Sequence, residues 1–317
     1  MDRINVRTLK NMVGEKTDSF FMISNVEIKK GSTGKDYLDL LLADETGEIS
    51  GKKWSVDEPD RKLKRTDIVK VRFEVTEFNG QAQLRIERVR IASKEDNLDV
   101  TEFVKHAPET SEDMFNEIKK TAEEIEDSDL RNVALKVLSA NEEKLMYYPA
   151  AKKNHHAIFG GLLYHTLRML RLGKKVCEVY TNLRPDWVAC GVIIHDMEKI
   201  NEIVSDEYGM ASDYSFEGKL LGHIVMGVKS IDRICLDLGV CDEKRIMLDH
   251  MVLSHHYEAE YGSPRKPLFP EAEVLHYLDM LDAKMYDFKE AYDEALPGGY
   301  SDRKWTLDNR EIYHDTL

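Results

Sequence analysis

The chain has 317 residues, of which 42% are hydrophobic, and it carries a formal net charge of −14. This length suits about two domains, and no apolar run approaches the roughly 20 residues that a membrane-spanning helix needs. The N-terminal residues, MDRINVRTLKNMVGEK, are charged and lack the apolar stretch of a signal peptide. We therefore expect a globular cytoplasmic protein with no membrane partner.

Charge distribution and cysteine content further limit the class of protein. Residues 1–92 carry a net charge of +2, whereas residues 93–317 carry −16. Most nucleic-acid-binding domains have a basic face, but carboxylates that gather a divalent metal ion also add negative charge, and the bound ion reverses the local sign. The four cysteines form no CxxC pair, which favours reduced thiols over a disulfide framework.

Residues 20–92 have the pattern of short β-strands. Segments that alternate or run apolar are separated by turn sequences such as GSTGKD and DETGE, and Asn79-Gly80 is a hairpin signal. The five predicted strands are FFMISNVEIKK, YLDLLLADETG, EISGKKWSV, DIVKVRFEVTEFNG and QAQLRIERVRIAS. Five strands in this length predict a small closed barrel, and LLLADETGEISGKKW followed by a hairpin resembles the OB-fold domains of nucleic-acid-binding proteins.

An OB-fold barrel would bind a single strand by aromatic stacking and by a basic groove. Trp54 fits the core more readily than a stacking surface, and the run RKLKR fits a solvated loop as well as a phosphate contact. The candidate substrate-binding residues of this part are Lys52, Lys53, Trp54, Arg61, Lys62, Lys64 and Arg65.

From about residue 111 the apolar residues recur at intervals of three and four, which predicts helices. Residues 93–110 are polar and contain Pro108, as expected of a connector. The segment after Gly299 has no clear periodicity, and we interpret it as an arm lying on another surface.

Nine of the eleven histidines fall between residues 155 and 276. His165, the adjacent pair His195-Asp196, and Asp279 all lie in apolar helical contexts where an apolar side chain would cost less to bury. A single histidine in such a context is usually a core residue, but this many together favour convergence on a metal ion. Neutral imidazoles and carboxylates suit borderline divalent ions such as manganese, iron, zinc or nickel.

The motifs NHHAIFGGLLYHT, HDMEK, EGKLLGHI, LSHH, YGSP and HYLDMLDAKM occur in this order after an OB-like domain. This order resembles the YhaM-type 3′→5′ exoribonucleases, which carry a metal-dependent phosphohydrolase domain of the HD superfamily. The resemblance covers nearly the whole chain. It implies an OB-fold domain at residues 1–95, a connector and leading helix at 96–140, and an all-α HD domain with the C-terminal arm at 141–317.

The resemblance also implies a ligand set. Asp196 would bridge two ions, with Asp282 as the rival of His256 for the last position. The remaining implied ligands are His165, His195 and Asp279 for the first ion, and His223, His255 and His256 for the second. We expect one or two divalent ions per chain, manganese first, with iron, nickel, cobalt and zinc left open.

Two further residues are expected close to the reaction. Asp196 is the central candidate catalytic residue, and Lys199 follows it by three positions, so on a helix it would share the same face and could contact a phosphate oxygen. The alternative for Lys199 is a solvated lysine near a helix end. His155 and His156 match the NHH motif, and their role is left open between substrate contact and structural hydrogen bonding.

The sequence departs from the family at two positions where glycine is common. Glu198 stands in the HDxGK motif, and Tyr257 follows the His255-His256 pair. Both add bulk close to the expected site, although Glu198 could also turn outward.

We therefore predict a metal-dependent exonuclease that shortens single-stranded RNA, and also single-stranded DNA, from the 3′ end. One alternative is an HD phosphohydrolase that acts on a small nucleotide or cyclic dinucleotide. Another is a non-catalytic nucleic-acid-binding module with a structural metal site. Homo-oligomerisation is left open.

Overall fold

The computed structural model describes residues 4–98, 102–152 and 156–317. Two compact units, Met1–His106 and Ala107–Leu317, make up the chain. Among the described residues, no helix has both the length and the hydropathy needed to span a bilayer.

The first unit is a closed barrel of five strands. Apolar residues alternate along each strand, so that side chains such as Phe21, Leu40 and Phe73 fill the interior. The strands are β1 (Lys16–Lys30), β2 (Asp36–Asp44), β3 (Gly47–Lys53), β4 (Ile68–Phe78) and β5 (Gln81–Ile91).

The strand order in the barrel is β1-β2-β3-β5-β4, and β1 closes it by pairing with β4. All pairs are antiparallel except β3 with β5. Asn79 and Gly80, with φ of 52° and 75°, form the tight turn between β4 and β5 that the sequence predicts. The five-stranded closed barrel confirms the predicted OB-fold.

The second unit is helical. Its helices are α2 (Ser111–Glu123), α3 (Ser128–Leu145), α4 (Gly161–Val179), α5 (Pro185–Ile194), α6 (Lys199–Glu202), α7 (Phe216–Leu238), α8 (Asp242–Ser254) and α9 (Pro270–Glu294). The short helix α1 (Val6–Leu9) belongs to the barrel unit, where Val6 and Leu9 are fully buried. The predicted helical class is confirmed, and its apolar residues form one core that includes α2 and α3.

A small hairpin interrupts the helices. Strand β6 (Ile203–Ser205) pairs with β7 (Ala211–Tyr214), a feature that the all-helical prediction does not contain. Asp206 Oδ1 accepts the backbone N–H groups of Tyr208 and Met210, and Gly209 has a φ of 71°, so this turn is stabilised locally.

Helix α5 lies in the centre of the second unit. Val192, Ile193 and Ile194 are 0–1% exposed, which explains the apolar run that precedes the His-Asp pair. Neighbouring elements cover nearly every side chain of α5, and the residues that follow its C-terminal end are also buried, so this end faces the interior of the unit.

The residues after α9 fold back on the end of that helix. Tyr292 Oη donates a 2.8 Å hydrogen bond to Asp315 Oδ2, and His314 Nδ1 lies 2.8 Å from the carbonyl oxygen of Ala295. Two isolated bridges, Tyr300 with Tyr313 and Lys304 with Arg310, lie within the same segment. The predicted arm therefore lies at least partly on the C-terminal end of α9.

Candidate metal centre

The His-Asp pair lies at the junction of two helices. Helix α5 ends at Ile194, residues 195–198 form a turn, and α6 begins at Lys199. Backbone hydrogen bonds of 3.0 Å join His195 to Gly191 and Lys199 to Asp196, so the turn is fixed at both ends. His195 and Asp196 are each 1% exposed.

The two carboxylate oxygens of Asp196 face different histidines. Oδ2 lies 3.4 Å from His195 Nε2 and 3.7 Å from His165 Nε2. Oδ1 lies 3.4 Å from His223 Nε2 and 3.7 Å from His255 Nε2. One carboxylate is thus shared between two sets of candidate ligands.

Both sets are compact enough to hold an ion, since within each the ligand atoms lie within 4.8 Å of one another. We call them the His165 group (His165, His195 and Asp279) and the His223 group (Asp196, His223, His255 and His256). Asp279 joins them, because its Oδ1 lies 3.3 Å from His165 Nε2 and its Oδ2 lies 3.9 Å from His256 Nε2. All seven residues that the sequence proposes as ligands come together, from five helices and the turns that follow them.

Hydrogen bonds at Nδ1 orient the imidazole rings. The Nδ1 atoms of His195, His255 and His256 lie 2.7–2.8 Å from the carbonyl oxygens of Val192, Val252 and Tyr261. A ring that donates its Nδ1–H to a carbonyl presents the lone pair of Nε2 on its other side, as a metal ligand does.

The inward-facing atoms fit a divalent cation. Among the described residues, Nε2 of His195, His223 and His255 and Oδ1 of Asp196 are buried and make no hydrogen bond. Buried polar atoms are normally satisfied, and several lone pairs that face one another would be satisfied by a shared cation. Imidazole nitrogens with carboxylate oxygens suit borderline divalent ions.

The ionisation states agree with this interpretation. Burial would raise the pKa of Asp196, but the Lys199 ammonium and neighbouring histidines hold it well below its usual range. Burial lowers the pKa of His255 well below its usual value. For His165, burial lowers the pKa, but hydrogen bonds to Asp279 and Asp282 outweigh it and raise the pKa to about 9. A metal ion would therefore displace a proton from His165.

Lys199 is a buried member of the site. It is 8% exposed, and its Nζ lies 2.6 Å from Asp196 Oδ2. Burial lowers its pKa, but Asp196 and Asp279 outweigh this and raise it, so the side chain is an ammonium. The alternative of a solvated lysine is wrong.

Asp282 supports the site from behind. Its Oδ2 lies 2.8 Å from His165 Nδ1 and 2.8 Å from His156 Nε2, and its Oδ1 forms an ion pair with Arg168 Nε at 2.7 Å. His156, His165 and Asp282 are also close enough to form a metal group. Hydrogen bonds engage one oxygen of Asp282 and the ion pair engages the other, so we interpret Asp282 and the fully buried His156 as orienting His165. His155 lies outside the described residues.

The two departures from glycine have different structural meanings. Tyr257 has a φ of 68°, in the left-handed region that favours glycine, and its ring stacks on His276 at 4.9 Å. Glu198 has an ordinary φ of −74°, and its Oε2 accepts a hydrogen bond from Asn201. Glu198 lines a cavity that contains none of the candidate ligands, which is the outward orientation considered above.

The barrel carries an exposed aromatic pair. Trp54 is 59% exposed, and its ring lies 5.0 Å from that of Tyr37. The expectation that Trp54 belongs to the core is therefore wrong. Lys53, the last residue of β3, faces inward, so Trp54 follows it on the outward side. Phe78 is 62% exposed, with Lys52 Nζ 5.8 Å from its ring centre.

The basic candidates of the barrel differ in accessibility. Lys53 is 4% exposed, and its Nζ donates to Asp57 and Asp60 at 2.8 and 2.7 Å. Lys53 is thus a structural residue and not a substrate contact, which corrects the prediction. Arg61 pairs with Asp36 at 3.1 Å, and the other exposed cations of the run are Lys62, Lys64 and Arg65.

One residue of the site has no signal in the sequence. Glu202 Oε1 accepts the backbone N–H of His223 at 3.0 Å and lies 3.2 Å from His223 Nδ1. Glu202 stands 21 positions before His223, outside every motif discussed above, so only the fold brings them together.

A family model and a curated protein are similar to this chain. Residues 162–284 match the family described as HD domain. The 3′-5′ exoribonuclease YhaM of Geobacillus sp. (strain WCH70) is 38% identical over 302 residues, which cover 95% of this chain and 92% of that protein.

Two solved OB-fold domains are similar to part of this chain. The second OB-fold domain of replication protein A from Methanococcus maripaludis is 18% identical, covering 29% of this chain and 96% of that one, with a TM-score of 0.24. An OB domain from Thermoplasma acidophilum is 19% identical, covering 29% and 87%, also with a TM-score of 0.24.

Proposed function

The chain belongs to the family of the 3′-5′ exoribonuclease YhaM, and we propose that it hydrolyses single-stranded RNA from the 3′ end at the centre built around Asp196. It is a metal-dependent hydrolase with an HD domain. The observation that carries the proposal is the shared carboxylate of Asp196, whose two oxygens face two separate sets of histidines. A two-ion site of this kind suits the displacement of one phosphate oxygen by another.

The metal would be held by the His165 group and the His223 group, and Asp196, a member of the second group, also faces the first through its Oδ2. When bound, divalent ions lower the pKa of a bound water and polarise the phosphoryl oxygen. We propose Mn²⁺ as the ion, because mixed imidazole and carboxylate ligands suit it, with Fe²⁺, Co²⁺, Ni²⁺ and Zn²⁺ as alternatives to be measured.

The residues around these groups would admit the substrate and bind its phosphate. His256 is the most exposed of the seven candidate ligands, with 23% of its side chain accessible, so we infer that the substrate approaches on its side. Lys199 would supply a fixed positive charge deep in the site, where the low dielectric strengthens its attraction for a phosphate oxygen.

The barrel would hold the strand that the helical unit shortens. Trp54 and Tyr37 offer exposed aromatic faces for the bases, and Lys52, Lys62 and Lys64 offer charges for the phosphates. Because stacking does not depend on the 2′-hydroxyl, we propose that single-stranded DNA also binds.

We propose a cytoplasmic location. The cysteines at 177, 190, 235 and 241 are free thiols, and those at 190 and 235 are fully buried. Reduced thiols of this kind are typical of proteins in reducing compartments.

Digestion of a 5′-labelled single-stranded RNA, with and without Mn²⁺, tests the proposal. The wild-type protein should give a Mn²⁺-dependent ladder that shortens from the 3′ end, and Asp196→Asn should give none. Asp237→Asn, which changes an exposed carboxylate on α7, serves as the control and should match the wild type. Intact RNA with a metal-loaded wild-type protein would contradict the exonuclease, and cleavage of a cyclic dinucleotide by the same sample would favour the small-nucleotide alternative.

A further inference from the structure

Helix α7 is broken immediately before one of the candidate ligands. Gly222 has φ 71° and ψ 160°, values outside the helical region, so His223 begins the second half of the helix. The first N–H groups of a helix have no partner within it. Glu202 Oε1 accepts the N–H of His223 at 3.0 Å and thus caps this second half from another element.

The same carboxylate also orients the imidazole. Glu202 Oε1 lies 3.2 Å from His223 Nδ1, while His223 Nε2 lies 3.4 Å from Asp196 Oδ1. The other two histidines of the His223 group use backbone carbonyls at Nδ1. A carboxylate in this position fixes the tautomer and makes the ring a stronger electron donor.

Close backbone packing holds Glu202 in place. The backbone N–H of Ser215 donates to the carbonyl oxygen of Glu202 at 2.8 Å, and a Cβ at Gly218 would lie 2.4 Å from that oxygen. The side chain is only 13% exposed. Glu202 therefore has little freedom to move away from His223.

We propose that Glu202 is the positioning residue of the His223 group, and that it determines whether the chain holds two divalent ions or one. This inference rests on the proposed function, because it assumes that both groups bind metal. Asp282 orients His165 by a similar contact at its Nδ1, so the two groups have separate supporting carboxylates.

The test is Mn²⁺ binding by calorimetric titration of the full chain. The wild type should bind two ions, and Glu202→Ala should bind one. Glu202→Gln, which keeps an acceptor for the His223 N–H but loses the charge, should bind two, the second about 10- to 100-fold more weakly. Glu217→Ala removes an exposed carboxylate of α7 that pairs with Lys229, and should match the wild type.

Each outcome has one meaning. Two ions in Glu202→Ala with unchanged affinities would overturn the positioning role. If Glu202→Ala does not fold, as judged by circular dichroism, Glu202→Gln decides, and wild-type affinity for the second ion would overturn the inference. A wild type that binds no metal would instead overturn the proposed function, so the two failures are distinguishable.

Discussion

The ammonium of Lys199 lies 2.6 Å from Asp196 Oδ2, and both residues are buried. This pair explains how a carboxylate stays ionised inside a protein, because burial alone would raise its pKa. It also means that a positive charge is present in the site before any metal ion binds.

Replacing Lys199 by Gln should separate catalysis from metal binding. Removing a cation beside the ligands should leave Mn²⁺ affinity equal or higher, because less positive charge repels the ion. Loss of the charge that faces the phosphate should lower kcat by about 100-fold. Single-turnover RNA digestion and Mn²⁺ titration measure the two quantities, and an unchanged kcat would contradict the role proposed for Lys199.

Metal removal should lower the thermal stability. Ligands that bind only the folded state stabilise it, by about 2.7 kcal/mol when their concentration is 100 times the Kd. The melting temperature of the wild type should therefore rise on adding Mn²⁺ to chelator-treated protein, whereas that of Asp196→Asn should rise little. Equal increases in both proteins would show that the ion stabilises some other part of the chain.

Stability should fall as pH rises because of Asp249. Burial first, and then the nearby Asp232, raise the pKa of Asp249 to about 7. Between the unfolded pKa of about 4 and this value, the folded state binds the extra proton, so the free energy of unfolding decreases with pH and levels off above about 7.

Asp249→Asn checks this expectation. The loss of unfolding free energy between about pH 5 and about pH 8 should be smaller in the variant than in the wild type. Urea unfolding at the two pH values provides the measurement. Parallel losses in the two proteins would assign the pH dependence to other groups.

Lys53 should contribute to the stability of the barrel and not to RNA binding. Lys53→Met would leave Asp60, which is 4% exposed, without its cation. Removing one partner of a buried pair costs roughly 3 kcal/mol. Urea unfolding should detect this loss, and Lys52→Met, which changes the next residue on the opposite face of β3, is the matched control.

Trp54→Ala should have the opposite effects: weaker RNA binding and nearly unchanged stability of the barrel. The side chain is 59% exposed, so its removal should change the unfolding free energy little. Loss of one stacking surface should raise the KM for single-stranded RNA about 10-fold, with kcat nearly unchanged. A KM equal to that of the wild type would exclude Trp54 from the strand path.

The candidate ligands could be predicted because each interrupts an apolar stretch. His195-Asp196 follows a buried helix, and Asp279 lies between leucines, so the cost of burying these groups is visible in the sequence. Glu202 could not be predicted in this way. Its contact with His223 depends on the break at Gly222 and on the packing of α6 against α7, which are tertiary features.

In the barrel, strand register predicts exposure better than residue type does. Ile49, Gly51 and Lys53 point to the same side of β3, so strict alternation already indicates that Lys53 faces inward and Lys52 outward. The same rule places Trp54, the residue after Lys53, on the outward side, where it is exposed. The prediction of a core position for Trp54 is wrong because it rests on the hydrophobicity of the side chain and not on its register in the strand.

Helix α6 has just four residues, with Lys199 at its first position and Glu202 at its last. Each residue of a helix turns the chain by about 100°, so one inserted residue would keep Lys199 beside Asp196 but rotate Glu202 away from His223. The length of this segment therefore matters as much as the identity of either residue. A deletion or insertion here should leave Lys199 beside Asp196 but remove the support of Glu202 from the His223 group, without altering any ligand.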